Sequence, residues 1–215
     1  MFWLRKNGAS ILVHLGALVP LALLYGDFTS VNPIQAITLR TGSMALILLI
    51  ISLACTPFNL LFGWKWAVGL RKPLGLYAFF WMCLHFLTFT VLDYGLNWGL
   101  IQQAIVEKRY VLVGFAAFLL IIPLAITSTK GWQKRLGKRW KRLHMLVYPA
   151  AILAVFHFIW LVKADLREPL IYATIVALLL ILRLPPVRQA IARLRPRPVK
   201  PAPRAAATRV ISSEE

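Results

Sequence analysis

The chain has 215 residues, 60% of them hydrophobic and 15% charged, with a mean hydropathy of +0.71. That is too apolar for a soluble domain of this size and points to an integral membrane protein. A formal net charge of +18, from 25 Lys and Arg against 7 acids, would suit nucleic acid only if the basic residues shared one soluble face, and they do not.

Six apolar segments follow in order, at residues 10–25, 42–62, 74–92, 110–127, 143–162 and 169–184. Most approach the roughly 20 residues that a helix needs to cross hydrocarbon. Arg5 and Lys6 before the first segment resemble the start of a secretion signal. No small-residue cleavage pattern follows near Leu24, Tyr25 and Gly26, so the segment reads as the first helix. The second segment starts beside Arg40, with Thr41 and Gly42 suiting a helix start. Cys55 and Cys83 fall inside apolar runs at unrelated depths, which gives neither a disulfide framework nor a CxxC metal site. Between the fourth and fifth segments, "KGWQKRLGKRWKR" alternates basic residues with Trp132 and Trp140, as a loop against anionic headgroups or a cytoplasmic redox partner would.

If the N-terminus is inside, 20 of the 25 basic residues fall on the inner side and five of the seven acids on the outer side. The positive-inside rule then puts both termini in the cytoplasm and accounts for the charge without nucleic acid. The expected organisation is all-α: a six-helix membrane domain over residues 1–184 and a basic tail rich in Pro and Arg over 185–215, disordered beyond about Arg195. Neither a GxGxxG fingerprint nor a Walker loop occurs, so the chemistry belongs between the helices.

All four histidines lie in predicted spans: His14 in the first, His85 in the third, His144 and His157 in the fifth. Ionisable groups in hydrocarbon face the bundle interior and find partners. No Asp or Glu lies within a span, which argues against a proton relay and for a metal macrocycle. Haem iron takes axial imidazoles on two sides, one from each of two helices at similar depth. His85 lies about 16 Å along the third segment and His157 about 21 Å along the fifth, both outward-running, so these two can share one iron. His144 lies only about 1.5 Å in and cannot share it. It is either an interfacial side chain or the ligand of a second haem, for which His14, about 6 Å into the first segment, has comparable depth. Arg71, on the same side, stays protonated and suits a haem propionate. Thirteen residues at 100° each leave His144 and His157 about 140° apart on an ideal helix, so Pro149 between them would have to kink or rewind it.

The runs "LRTGSMALILLIISLACTPF", "LGLYAFFWMCLHFLTF" and "AITSTKGWQKRLGKRWKRLHMLVYPAAILAVFHFIW" resemble the ferric-reductase-like transmembrane proteins. Within that family the likeness is to the membrane subunit of a periplasmic methionine sulfoxide reductase system. The resemblance implies six helices, one or two haem b, FMN as a further cofactor, a quinone or a flavin reductase as electron donor, and a periplasmic molybdopterin reductase as partner. It also implies a bacterial inner-membrane location and haem association for His85, His144 and His157. Related membrane domains carry two histidines on each of two helices. Here the position fourteen before His85 is Arg71. Arg40 would pair with a propionate of the outer haem or snorkel to the interface. Trp81, Phe86, Phe156, Phe158 and Trp160 would line the pocket or pack against lipid. Two other readings are a direct ferric reductase at the outer face and a haem-free transporter or assembly factor.

Overall fold

The computed structural model describes residues 2–162 and 165–194, which are helical throughout apart from short connections. Helix α1 (Phe2–Phe28) is followed by a turn and by α2 (Pro33–Phe62). The start of α2 follows from its residues. The Asn32 side chain accepts the Gln35 backbone N–H at 3.3 Å, and Pro33 stands in the first turn, where its missing N–H costs nothing. The expected start beside Thr41 and Gly42 is thus corrected: both lie inside the helix, more than two turns from its cap. At the other end Gly63 takes a left-handed φ of 74° and its N–H closes on the Asn59 carbonyl at 3.0 Å.

Helix α2 is the centre of the bundle, with Leu48, Leu49 and Leu53 each at most 4% exposed. Helix α3 (Lys65–Leu87) lies along it and passes directly into a π-helical turn, Thr88–Asp93. Such wider turns interrupt helices mainly at functional sites, and this one begins three residues after His85. The connection that follows carries an unanticipated helix, α4 (Trp98–Glu107). Its sequence signals were the Asn97 cap, which accepts the N–H groups of Gly99 and Leu100, and an amphipathic face that buries Ile101 and Ala104.

Helix α5 (Arg109–Ile126) pairs with the later α8. The basic stretch between them is two short helices and not a loop: α6 (Lys130–Leu136) and α7 (Lys138–Leu143), divided by Gly137 at a φ of 51°. A single 3-10 turn, His144–Leu146, joins α7 to α8 (Val147–Leu161). Helices α9 (Arg167–Ile181) and α10 (Pro185–Leu194) complete the described chain. By length and composition α1, α2, α3 with its π turn, α5 and the run from Lys138 to Leu161 each suffice to cross a bilayer. The sixth qualifies only when α9 and α10 are joined, and these are bent by 70°. The first ten residues of the expected basic tail are therefore helical, and residues 195–215 lie outside the described ones.

Helices α9 and α10 both pack on α2, and one side chain bonds to it at the bend between them. Pro57 has no N–H, so the Leu53 carbonyl four residues before it loses its helical donor. The Arg183 guanidinium, at the bend between α9 and α10, fills that place with a 2.5 Å bond from Nη2, while Nη1 donates to Tyr148 at 2.8 Å. We expect Arg183→Gln to cost about 1 to 3 kcal/mol, because it leaves a buried carbonyl unpaired. Pro57→Ala returns the missing N–H and should recover much of that loss in a double variant. Thermal unfolding in detergent measures both; an Arg183→Gln cost that is undiminished in the Pro57→Ala background would show that the carbonyl is not what Arg183 serves.

Candidate metal centre

His85 leaves α3 toward the first turns of α2, where its Nδ1 lies 3.1 Å from the Thr38 carbonyl and 3.3 Å from Thr41 Oγ1. A carbonyl can only accept, and Thr41 Oγ1 already donates to the Ile37 carbonyl at 2.8 Å. Nδ1 of His85 therefore carries the proton and Nε2 keeps a free lone pair. His157 on α8 repeats the arrangement with α5: its Nδ1 is 2.7 Å from the Tyr110 carbonyl. Imidazoles that ligate metals characteristically donate their other N–H to a carbonyl or carboxylate in this way.

The two rings face each other across the bundle with centroids 6.3 Å apart and planes at 79°. Two metal–nitrogen bonds of about 2.0 to 2.1 Å, each extended by about 1.2 Å from nitrogen to the ring centre, would put the centres of two imidazoles that share one metal at most about 6.4 to 6.6 Å apart. Glycines give the rings their room. A Cβ at Gly42 would come within 3.1 Å of the His85 ring, and one at Gly114 within 2.7 Å of the His157 ring. Among the described residues no three His, Cys, Asp or Glu converge, so a protein-only cage of three or four ligands is not formed there. Two opposed imidazoles suit a metal whose remaining ligands come from a macrocycle.

A stack of phenylalanines joins α3 to α5, beginning at the residue after His85. Phe86 stacks on Phe115 and Phe118 of α5 at 5.9 and 5.2 Å, and Phe79 stacks on Phe118 at 6.0 Å. Trp81 is fully buried and its Nε1 donates to the Ala17 carbonyl at 2.9 Å, whereas Phe156 and Trp160 face outward at 48% and 41% exposure. Phe158 turns to Tyr172 of α9.

The other candidates lie elsewhere. Arg40 makes a two-pronged ion pair with Asp27, Nη2 reaching Oδ1 at 2.9 Å and Nε bonding Oδ2. Its charge is thus matched by a protein carboxylate. His14 is exposed on α1, which packs on α2 and α3, and its Nδ1 is 2.6 Å from Tyr77 Oη. The structure does not bring it beside His144. His144 stacks on Trp140 at 4.0 Å and its Nε2 meets Thr127 Oγ1 at 3.1 Å. Thr127 donates to the Pro123 carbonyl, so it accepts from His144 and leaves Nδ1 of that ring free. Arg71 Nη1 lies 3.4 Å from Thr56 Oγ1. Pro149 occupies the first turn of α8, and the rewinding comes from the 3-10 turn before it. Three steps at 120° in place of 100° narrow the angle between His144 and His157 from about 140° to about 80°.

Thr38, Thr41, Gly42, Tyr110 and Gly114 complete the candidate centre, and none of them carries a ligating side chain that would mark it in the sequence. The only advance signal was the general habit of small residues to mark close helix contacts.

An all-helical, multi-pass bundle thus holds two carbonyl-bonded imidazoles beside each other in its interior, a pair suited to a metal with a macrocycle. Residues 41–155 match the family model described as ferric reductase like transmembrane component, and the chain belongs to that family. Over 187 residues it is 50% identical to the protein-methionine-sulfoxide reductase heme-binding subunit MsrQ of Rhodospirillum rubrum, covering 85% of this chain and 90% of that one. The MsrQ proteins of Xanthomonas axonopodis pv. citri and Xanthomonas oryzae pv. oryzae are 48% and 47% identical over 182 residues, each match covering 80% of this chain and 84% of theirs. Its apolar helices and its family make it a multi-pass inner-membrane protein.

Proposed function

We propose that this chain is a haem-binding electron-transfer subunit that carries electrons from membrane quinol to a periplasmic molybdopterin methionine sulfoxide reductase, MsrP, for repair of oxidised envelope proteins. The observation that carries it is the facing pair His85 and His157, each with Nδ1–H held by a backbone carbonyl and Nε2 free. Haem b bound there would supply a one-electron couple. The chain's part is to hold both imidazoles neutral and fixed, to make room for them at Gly42 and Gly114, and to keep water away with the phenylalanines of α3 and α5. Termini in the cytoplasm would put this pair toward the periplasm, in keeping with the excess of Lys and Arg at the other end. His144, with its free Nδ1, and Arg71 would serve a second haem nearer the cytoplasm. FMN would be an additional carrier, and a cytoplasmic flavin reductase an additional donor.

The test is reoxidation of the reduced, purified chain. Addition of MsrP and methionine sulfoxide should reoxidise the haem, and methionine sulfoxide alone should not. Reoxidation by a ferric chelate but not by MsrP with its substrate would favour the direct metal reductase instead.

A further inference from the structure

One polar group away from the paired histidines opens onto the hydrocarbon. His14 sits on α1 among Ile11, Leu12, Leu15 and Leu18, which are 58, 71, 55 and 42% exposed and mark the lipid-facing flank of that span. Its Nδ1 is 2.6 Å from Tyr77 Oη of α3, the rings meet edge-on at 5.6 Å, and Ser10 Oγ stands 3.5 Å from Nε2. Ionisable side chains within spans ordinarily turn inward, so a histidine and a tyrosine meeting at an open seam call for a ligand that arrives through lipid.

The hydrogen-bond inventory narrows its chemistry. If His14 Nδ1–H donates to Tyr77, the phenol O–H remains as a donor and Nε2, with Ser10 Oγ at the 3.5 Å limit of a hydrogen bond, as an acceptor. If Tyr77 donates to Nδ1, then Nε2–H remains as a donor and the phenol oxygen as an acceptor. Either way the pair offers one donor and one acceptor to the same visitor. A quinone carbonyl takes the first and a quinol hydroxyl takes the second.

The seam also leads to the metal centre. One turn beyond Tyr77 on α3 is Trp81, fully buried and bonded to the Ala17 carbonyl of α1, and one turn further is His85. The rise from Tyr77 to His85 is about 12 Å.

We infer that His14 and Tyr77, with Ser10 beside them, hold a ring oxygen of a lipid-soluble quinol on the α1–α3 flank. This rests on the proposed quinol-to-haem reading and adds the place where the donor binds.

The experiment uses the full chain loaded with haem, together with His14→Gln and Tyr77→Phe. Decylubiquinone binding is followed by quenching of tryptophan fluorescence, and haem reduction by decylubiquinol is followed by stopped-flow absorbance. We expect each variant to bind at least tenfold more weakly and to be reduced at least tenfold more slowly, with the dithionite-reducible haem per chain unchanged. Unchanged binding and rate in both variants would overturn the site. So would loss of haem in either, which would make the residue part of the haem pocket or of the bundle. A native chain that holds haem yet neither binds the quinone nor is reduced by the quinol would remove the donor along with the site, while leaving the imidazole pair intact.

Discussion

His157→Ala and His85→Ala should each abolish one and the same haem, and His144→Ala should leave that haem in place. The expectation follows from the opposed rings, whose 6.3 Å separation matches a single shared metal. Each substitution removes one of the two nitrogens that would hold the metal and leaves the other ring with its Nε2 unmet. Loss of either ligand should take away the corresponding band of the dithionite-reduced minus oxidised spectrum and lower the pyridine haemochrome count by about one haem per chain, the share of a single bis-imidazole site. A double variant should lose no more than either single one. If both single variants kept their full complement, or if the double variant lost twice as much, the two histidines would not share a metal.

Gly114→Ala should be nearly as damaging although it removes no ligand. The added Cβ would stand 2.7 Å from His157 Nδ1 and 2.8 Å from Cε1, and the ring cannot yield without giving up its 2.7 Å bond to Tyr110. Overpacking of this kind costs about 1 to 3 kcal/mol, which is at least about a fivefold drop in haem occupancy if it falls wholly on the bound state. Gly42→Ala, with its closest approach at 3.1 Å to His85, should have a smaller effect in the same direction. Gly69→Ala, where nothing lies within 4 Å, should have none. Haem per chain after purification under one protocol ranks the three. Full occupancy in the Gly114 variant would mean that the His157 ring is not held where the structure places it.

The membrane class, the helical architecture and the depth match of His85 with His157 were legible in the sequence, because a span needs a long apolar run and histidine is rare within one. The start of α2 was misplaced because Arg40 looked like the end of a hydrophobic stretch. Its charge is cancelled by Asp27 from the preceding helix, a tertiary partner that no local window contains. Helix α4 escaped because its length and mixed polarity read as a loop, although Asn97 marked its cap. The glycines beside the histidines were invisible for a different reason. A glycine is informative only once it is known which ring approaches it, and those rings lie 43 residues away in both cases, Gly42 to His85 and Gly114 to His157. Pro149 drew notice as a kink, yet the 3-10 turn just before it does the rewinding.

The hydrogen bonds to the two facing histidines differ in one respect. His157 is held by a main-chain carbonyl of α5, which no substitution can delete, whereas His85 shares its proton between a main-chain carbonyl and the hydroxyl of Thr41. The more firmly an imidazole N–H is held, the more electron density its other nitrogen offers to iron. Natural variation thus has an adjustable setting on one side of the ring and a fixed reference on the other. Substitution of Thr41 would then retune the driving force of a haem held there without disturbing the bond that anchors α8.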